Sequence, residues 1–172
     1  MNKPEMNITY ECYHDGFRFI GTAEVELPAL TAMTQEVSGA GIAGQVDSPV
    51  LGHFQAMGMT LTWRTVTDEI KRVLEQRYHH IELYAAIQTM DPGTGKYVTK
   101  QQKVITRAVP KAYTLGNLQI GQLQGTTMEF ELNYCKMVFD NQDIFELDKY
   151  NQIYRVDGVD QLADVKRAVG LT

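Results

Sequence analysis

The sequence predicts a mainly β fold of the α+β kind: an antiparallel β-sandwich or barrel of about seven strands, with a packed central helix and a short C-terminal helix. Three observations carry this. Apolar and polar residues alternate with a period of two along most of the chain, Gly- and Asp-containing turn signals separate these runs, and only two stretches show helical spacing.

Taken in order, Ile8, Tyr10 and Cys12 alternate with Thr9, Glu11 and Tyr13, and His14-Asp15-Gly16 reads as a hairpin turn. Phe17, Phe19, Ala23, Val25 and Leu27 then alternate with Arg18, Thr22, Glu24 and Glu26, broken at Ile20 and Gly21, so the two runs predict an N-terminal antiparallel hairpin. From Pro28 to Gly52 the period is lost, and Gly39, Gly41 and Gly44 lie among small residues. A long excursion of this kind inside a compact domain is more often functional than decorative.

Met57, Met59, Leu61 and Trp63 alternate with Gly58, Thr60, Thr62 and Arg64, giving a strand with one apolar face. Thr67-Asp68-Glu69 opens a helix whose stripe is Ile70, Val73 and Leu74 and whose end falls near Arg77. Ile81, Leu83, Ala85 and Ile87 form a strand, Asp91-Pro92-Gly93-Thr94-Gly95 turns it, and Tyr97 to Val109 returns, with a polar stretch from Thr99 to Lys103 that suits a solvated or interfacial edge. Leu115, Leu118, Ile120 and Leu123 are spaced by Gly116, Gly121 and Gly125. In the clearest strand, Met128, Phe130, Leu132 and Tyr134 face one way, and Thr127, Glu129, Glu131, Asn133 and Cys135 the other. Asp140-Asn141-Gln142 turns the chain into a last strand, where Phe145 and Leu147 alternate with Glu146 and Asp148, followed by Ile153 and Val156. Asp160 then opens a terminal helix with Leu162, Val165 and Val169 on its inward face, Lys166 and Arg167 in its last turns and Gly170 past its end.

At 172 residues the chain is read as one domain, residues 1–172, large enough to bury its own core. No apolar run approaches the ~20 residues of a membrane helix, and MNKPEMNITYECY has no apolar signal region, so the expectation is a folded protein retained in the cytoplasm of the cell that makes it. A formal net charge of −5 argues against a surface built to grip phosphates.

Chemistry finds little to act through. Cys12 and Cys135 show no CxxC spacing and read as buried free thiols. His79 and His80 are adjacent at a strand start, so their rings point to opposite faces and do not share a metal. Glu129 and Glu131 read as a solvated strand face rather than an acid–base pair. The run Gly39-Ala40-Gly41-Ile42-Ala43-Gly44 lacks the following helix of a dinucleotide loop and the Gly-Lys-Ser/Thr of a phosphate loop. The expectation is no catalytic residue, no cofactor and no metal.

The segment from Phe145 to Leu171 carries a family resemblance. Glu146, Leu147, Asp148 and Asn151, then Gly158, Val159, Asp160 and Gln161, then Gly170 and Leu171, together with Leu27, Pro28 and Leu30 upstream, resemble the major tail tube proteins of contractile-tailed bacteriophages and related R-type bacteriocin-like injection particles. Two positions depart from that pattern: Lys149 stands where the family has proline, and Asp157 where it has asparagine.

The resemblance implies a structural subunit. Homo-hexameric rings would stack into a hollow tube inside a contractile sheath, conducting DNA, ions or other cargo, in a virion tail or tail-like particle put together in the bacterial cytoplasm. The implied partners are other copies of the chain, the tail sheath protein, a baseplate or tube initiator, a tail terminator, a tape-measure protein in the lumen, and DNA that passes without tight binding, with no membrane insertion of the subunit. The stretch from about 28 to 52 is the candidate assembly loop, with Ser38, Gly39, Gly41, Ile42, Gly44 and Val46 as inter-ring or inter-subunit residues. The alternative is a monomeric β-barrel that binds a small molecule.

Overall fold

The computed structural model describes residues 2–18 and 22–171. Phe19, Ile20 and Gly21, where the alternation breaks, lie outside the described residues. Among the described residues, twelve strands and two short helices follow in chain order. β1 is Lys3–His14, β2 Phe17–Arg18, β3 Thr22–Glu26, β4 Ala32–Val37, β5 Val46–Phe54 and β6 Met57–Trp63. After α1, Ile70–Val73, come β7 His79–Asp91, β8 Lys96–Thr114, β9 Thr126–Phe139, β10 Gln142–Asp148, β11 Ile153–Val156, β12 Val159–Asp160 and α2 Ala163–Ala168. The fold is antiparallel and mainly β as expected, with more and shorter strands than the sequence suggests.

Ten strands form one sheet in the order β12-β11-β10-β9-β8-β7-β1-β2, with β6 against β9 and β3 outside β6. The sheet forks along β9. Its residues 126–132 pair with β6, and its residues 134–139 pair with β10, while β8 runs along the other edge of both halves. Asn133 is the branch: Leu132 pairs with Ala108 and Tyr134 with Arg107, so Asn133 has no partner across the β8–β9 ladder and forms a bulge.

The bulge reverses which residues face inward. Met128, Phe130 and Leu132 are buried on one side of it and Cys135 on the other, whereas Tyr134 turns outward. Simple alternation had placed Tyr134 inward and Cys135 outward, and a one-residue insertion is enough to invert them. Similar irregularities in the β1–β7 register between Pro4 and Met6 and between Asn7 and Thr9 leave Ile8 exposed, although Cys12 is buried as expected.

The core gathers Met57, Met59, Leu61 and Trp63 of β6, Met128, Phe130 and Leu132 of β9, Ile81 and Leu83 of β7, and Val104 of β8. The period-two reading of β6 and β7 holds because both strands are covered on one face only.

The N-terminal hairpin is confined to its turn. Asp15 and Gly16 both take positive φ, 48° and 84°, and join two residue pairs of β1 and β2, but β3 pairs with β6 rather than with β1. Burial of Val25 against the core outweighs pairing between neighbours in sequence.

The central helix is only α1. Ile70 and Val73 are buried, but Leu74 is exposed and the helix does not reach Arg77. The Arg77 N–H donates to Glu75 O at 2.8 Å in place of a helical bond, and Glu75 O also accepts from His79 Nε2 at 2.9 Å. Packing His79 into the sheet thus turns the chain early.

In the terminal helix Leu162 is buried, whereas Val165 and Val169 are exposed, so the inward stripe is reduced to one residue. The excursion from Pro28 to Gly52 is likewise no irregular loop: most of it is the β4–β5 hairpin, a separate two-stranded sheet.

Candidate assembly surface

In the β4–β5 hairpin, Thr34 pairs with Pro49, Gln35 with Ser48, Glu36 with Asp47 and Val37 with Val46. Its tip spans residues 38–45, where Gly39, Gly41 and Gly44 adopt φ of 139°, 92° and 123°. Such angles are open to glycine and strained for other residues, which explains a glycine cluster that lacked a phosphate-loop context. The tip is held by Ile42 N–H to Gly39 O at 3.1 Å and Gly44 N–H to Ile42 O at 3.0 Å.

Met33, Val37, Ile42, Val46, Val50 and Leu51 are all exposed on this hairpin. An isolated two-stranded ribbon is marginally stable in water, and this one spends apolar side chains on solvent. The candidate residues Ser38, Gly39, Gly41, Ile42, Gly44 and Val46 therefore lie together at its outer end, away from the motif residues 146–171.

The inner end of the hairpin is seated. Phe54 meets Tyr154 edge-on with ring centroids 5.0 Å apart, and Lys149 Nζ donates to Gln55 O at 2.6 Å. Gly52 has φ +70° and lies against Leu162, so close that a Cβ there would overlap Leu162 Cδ2 and stand 2.9 Å from Cγ.

The closing motif lies in the same segment as the residues of that seat. Asp148 is buried and accepts from Asn151 twice, the N–H at 3.1 Å and the side-chain amide at 2.7 Å, which closes the turn after β10. Glu146 accepts from Tyr134 Oη at 3.1 Å and Arg155 at 2.9 Å. Burial, and then the Glu146 carboxylate, push the Tyr134 phenol up to about 12. Lys149, where the resemblance expects proline, uses its N–H, donating to Asn133 O at 3.0 Å; proline could not make that bond.

Asp157 and Gly158, with φ of 50° and 76°, make the two-residue turn from β11 to β12, and Val159 pairs with Val156 across it. Asp160 accepts the Leu162 N–H at 2.9 Å and pairs with Lys166 at 2.8 Å; that lysine, with the Leu162 N–H, holds its carboxyl below the usual value. Gln161 N–H donates to Tyr154 O, and Leu171 N–H donates back to Lys166 O beyond Gly170 at φ 77°. The motif residues shape the turns, strand pairs and helix end of the segment whose Lys149, Tyr154 and Leu162 meet the hairpin.

Sequence reasoning missed one cluster. His79 is buried and joins not His80 but His14, 65 positions away: His14 Nε2 lies 2.8 Å from His79 Nδ1. Because His79 Nε2 must donate to the Glu75 carbonyl, its Nδ1 accepts and His14 Nε2 donates. Asp15 completes a group whose ligand-type atoms lie within 4.8 Å of one another. Those atoms are already engaged, since Asp15 Oδ2 pairs with Arg77 at 3.0 Å and Asp15 Oδ1 accepts the His80 N–H at 3.0 Å. Burial lowers the His14 pKa, and His79, Arg77 and Arg72 push the same way against Asp15, so the neutral imidazole of His14 is favoured. The cluster ties the β1–β2 turn to the connection between α1 and β7. Its signal, a histidine beside an Asp-Gly turn, is too common to be read in sequence.

On the outer face of the β7–β8 pair, Glu82 accepts from Tyr84 at 2.6 Å and from Lys103 at 2.9 Å and lies 2.7 Å from His80. Partial burial pushes its pKa up, but these three partners prevail and hold it at about 2.

The chain is similar to known proteins along most of its length. A family model described as phage tail tube protein FII matches residues 6–170. The tail tube protein of Escherichia phage P2 is 25% identical over 164 residues, covering 91% of this chain and 92% of that protein. A chain of the cryo-EM structure of the anti-feeding prophage baseplate, 6-fold symmetrised, aligns at 12% identity with a TM-score of 0.42 over 75% of this chain and 90% of that one, a likeness too weak to argue from.

Proposed function

Because the chain belongs to the phage tail tube protein FII family and is therefore a tail tube subunit of a phage tail or tail-like particle, we propose that it works by self-assembly through its β4–β5 hairpin. Copies close into homo-hexameric rings, the rings stack, and a contractile sheath, a baseplate or initiator, a terminator and a luminal tape-measure protein complete the particle. Assembly takes place in the bacterial cytoplasm. The subunit performs no chemistry, because the work in such a particle is mechanical.

The observation that carries this reading is the hairpin itself. It stands as a separate two-stranded sheet, seated at one end, on which six large apolar side chains are exposed. A neighbouring ring would cover it, and the exposed edges of the main sheet would be paired around a ring. A net charge of −5 suits a conduit through which DNA passes without being held.

Replacing residues 38–45 by an Asn-Gly dipeptide tests it. Val37 and Val46 are register partners, so a two-residue turn preserves the ribbon. The expected result is a folded subunit that forms no rods by negative-stain microscopy; rods of normal length and yield would refute the assignment. A wild-type monomer that never forms rods, and whose melting temperature shifts with a small ligand, would instead favour the binding-protein alternative.

A further inference from the structure

The corner where the β1–β2 turn meets the start of β7 gathers imidazole and carboxylate groups from segments 65 positions apart. Successive residues of a strand point to opposite faces, so His14 and Asp15 would not ordinarily share a site. The turn changes that. With φ of 48° at Asp15 and 84° at Gly16 the chain folds back, and Asp15 Oδ2 comes within 3.3 Å of His14 Nε2. His79 arrives from the other segment with its ring inclined 52° to that of His14, and the two rings meet through their nitrogens at 2.8 Å. Both histidines are buried, whereas Asp15 is exposed and gives an ion a way in.

These donors are held as metal ligands are held. A ligating histidine presents one nitrogen while a carbonyl or carboxylate fixes the N–H of the other. His79 does this already, with Nε2 donating to Glu75 O at 2.9 Å and Nδ1 turned toward His14. The Asp15 carboxylate is oriented by the His80 N–H on Oδ1 and by Arg77 on Oδ2, each at 3.0 Å, and a carboxylate oxygen that accepts one bond keeps a second lone pair. In the metal-free pair, the His14 N–H proton fills the space between the rings. Bond lengths of about 2.0–2.2 Å in a tetrahedral zinc site place donor atoms about 3.3–3.5 Å apart. His14 and Asp15 already stand at that separation, and the two imidazoles have to part by about half an ångström.

Charge permits a cation here. Arg77 pairs with Asp15 at 3.0 Å and with Glu75 at 2.8 Å, and Arg72 pairs with Glu69 at 3.3 Å, so three carboxylates outweigh two guanidiniums. Two imidazoles and one carboxylate suit Zn²⁺ with water in the fourth position, whereas Mg²⁺ and Ca²⁺ take oxygen ligands.

We propose that His14 Nε2, His79 Nδ1 and the Asp15 carboxylate bind Zn²⁺, in a site that joins the β1–β2 turn to the connection between α1 and β7. On binding, His14 carries its proton on Nδ1, so Nε2 offers a lone pair and no proton is lost overall. The histidines that share the ion are distant in the chain, unlike the adjacent pair His79 and His80. The site stands independently of the tube reading.

Titration of the full chain, freed of metal with a chelator, tests it with Zn²⁺ and Co²⁺ as probes. One equivalent of Zn²⁺ should bind, and at a concentration about a hundredfold above its dissociation constant the melting temperature should rise by about 5–10 °C. Co²⁺ should give the strong visible absorption of a four-coordinate ion, which added Zn²⁺ abolishes. Asp15→Asn, at an exposed turn position whose φ of 48° asparagine accepts, should keep the fold and weaken Zn²⁺ binding about tenfold or more. His53→Gln with His80→Gln removes the remaining histidines of the chain and should change neither the shift nor the spectrum. The proposal is overturned by a wild-type chain that shows no Zn²⁺-dependent shift, by a Co²⁺ spectrum of the hydrated ion alone, by loss of binding in the His53 and His80 variant, or by wild-type affinity in Asp15→Asn. Should Asp15→Asn fail to fold, the spectrum and the double variant decide.

Discussion

Replacing Gly52 by alanine probes whether the hairpin must be seated to work. Gly52 holds φ +70°, a conformation that costs an L-residue about 1–2 kcal/mol. The new Cβ would overlap Leu162 Cδ2 and stand 2.9 Å from Cγ and 3.0 Å from Cδ1, so the whole end of a buried side chain has to move. Overpacking of this kind costs roughly 1–3 kcal/mol. The total, about 2–5 kcal/mol, falls on the junction between β5 and the start of α2, which can separate without unfolding the main sheet. At the lower end, about 2 kcal/mol corresponds to roughly thirtyfold faster amide exchange in β4 and β5. The assay is hydrogen exchange by mass spectrometry on the subunit, with rod yield measured alongside. Adding Leu162→Ala should recover the steric part and leave the backbone part, so G52A/L162A should exchange more slowly than G52A. Unchanged protection of the hairpin in G52A, or no difference between the two variants, would refute the claim that Gly52 sets the seat.

Three further outcomes are expected. Glu82, held at about 2 from an ordinary 4.5, contributes stability that is present above pH 4.5 and lost as the pH falls toward 2; Glu82→Gln should flatten that acid limb, with a difference of up to about 3 kcal/mol at pH 7 that vanishes near pH 2 in denaturant titrations. Burial pushes the Cys12 and Cys135 thiols up to about 12, so neither should react with a thiol reagent at pH 8 until denaturant is added, and stoichiometric labelling of the folded subunit within seconds would contradict the burial. Assembled tubes should not bind duplex DNA at physiological salt, and retention on immobilised DNA that weakens with added salt would contradict the reading of the acidic surface.

Legibility in the sequence followed the local physics. β6, with Met57, Met59, Leu61 and Trp63 inward, was readable because one face is buried and no bulge interrupts it. The turns at Asp15-Gly16 and from Asp91 to Gly95 were readable because few residues tolerate those angles. The β4–β5 hairpin was visible only as an anomaly. Its strands are exposed on both faces, so they need no alternation and gave no periodic signal, and only the glycines of its tip marked the place.

The sequence by itself determined the fold class, the inward faces of the uninterrupted strands and, through the turn-forming residues from Glu146 to Leu171, membership in a tail tube family. All of these depend on contacts or conformations within a few residues of chain. Only the tertiary structure decided that β3 pairs with β6, that Asn133 inverts the face of β9, and that His14 meets His79. Those are relations between distant segments, fixed by which arrangement buries the most apolar surface, and no local pattern encodes them.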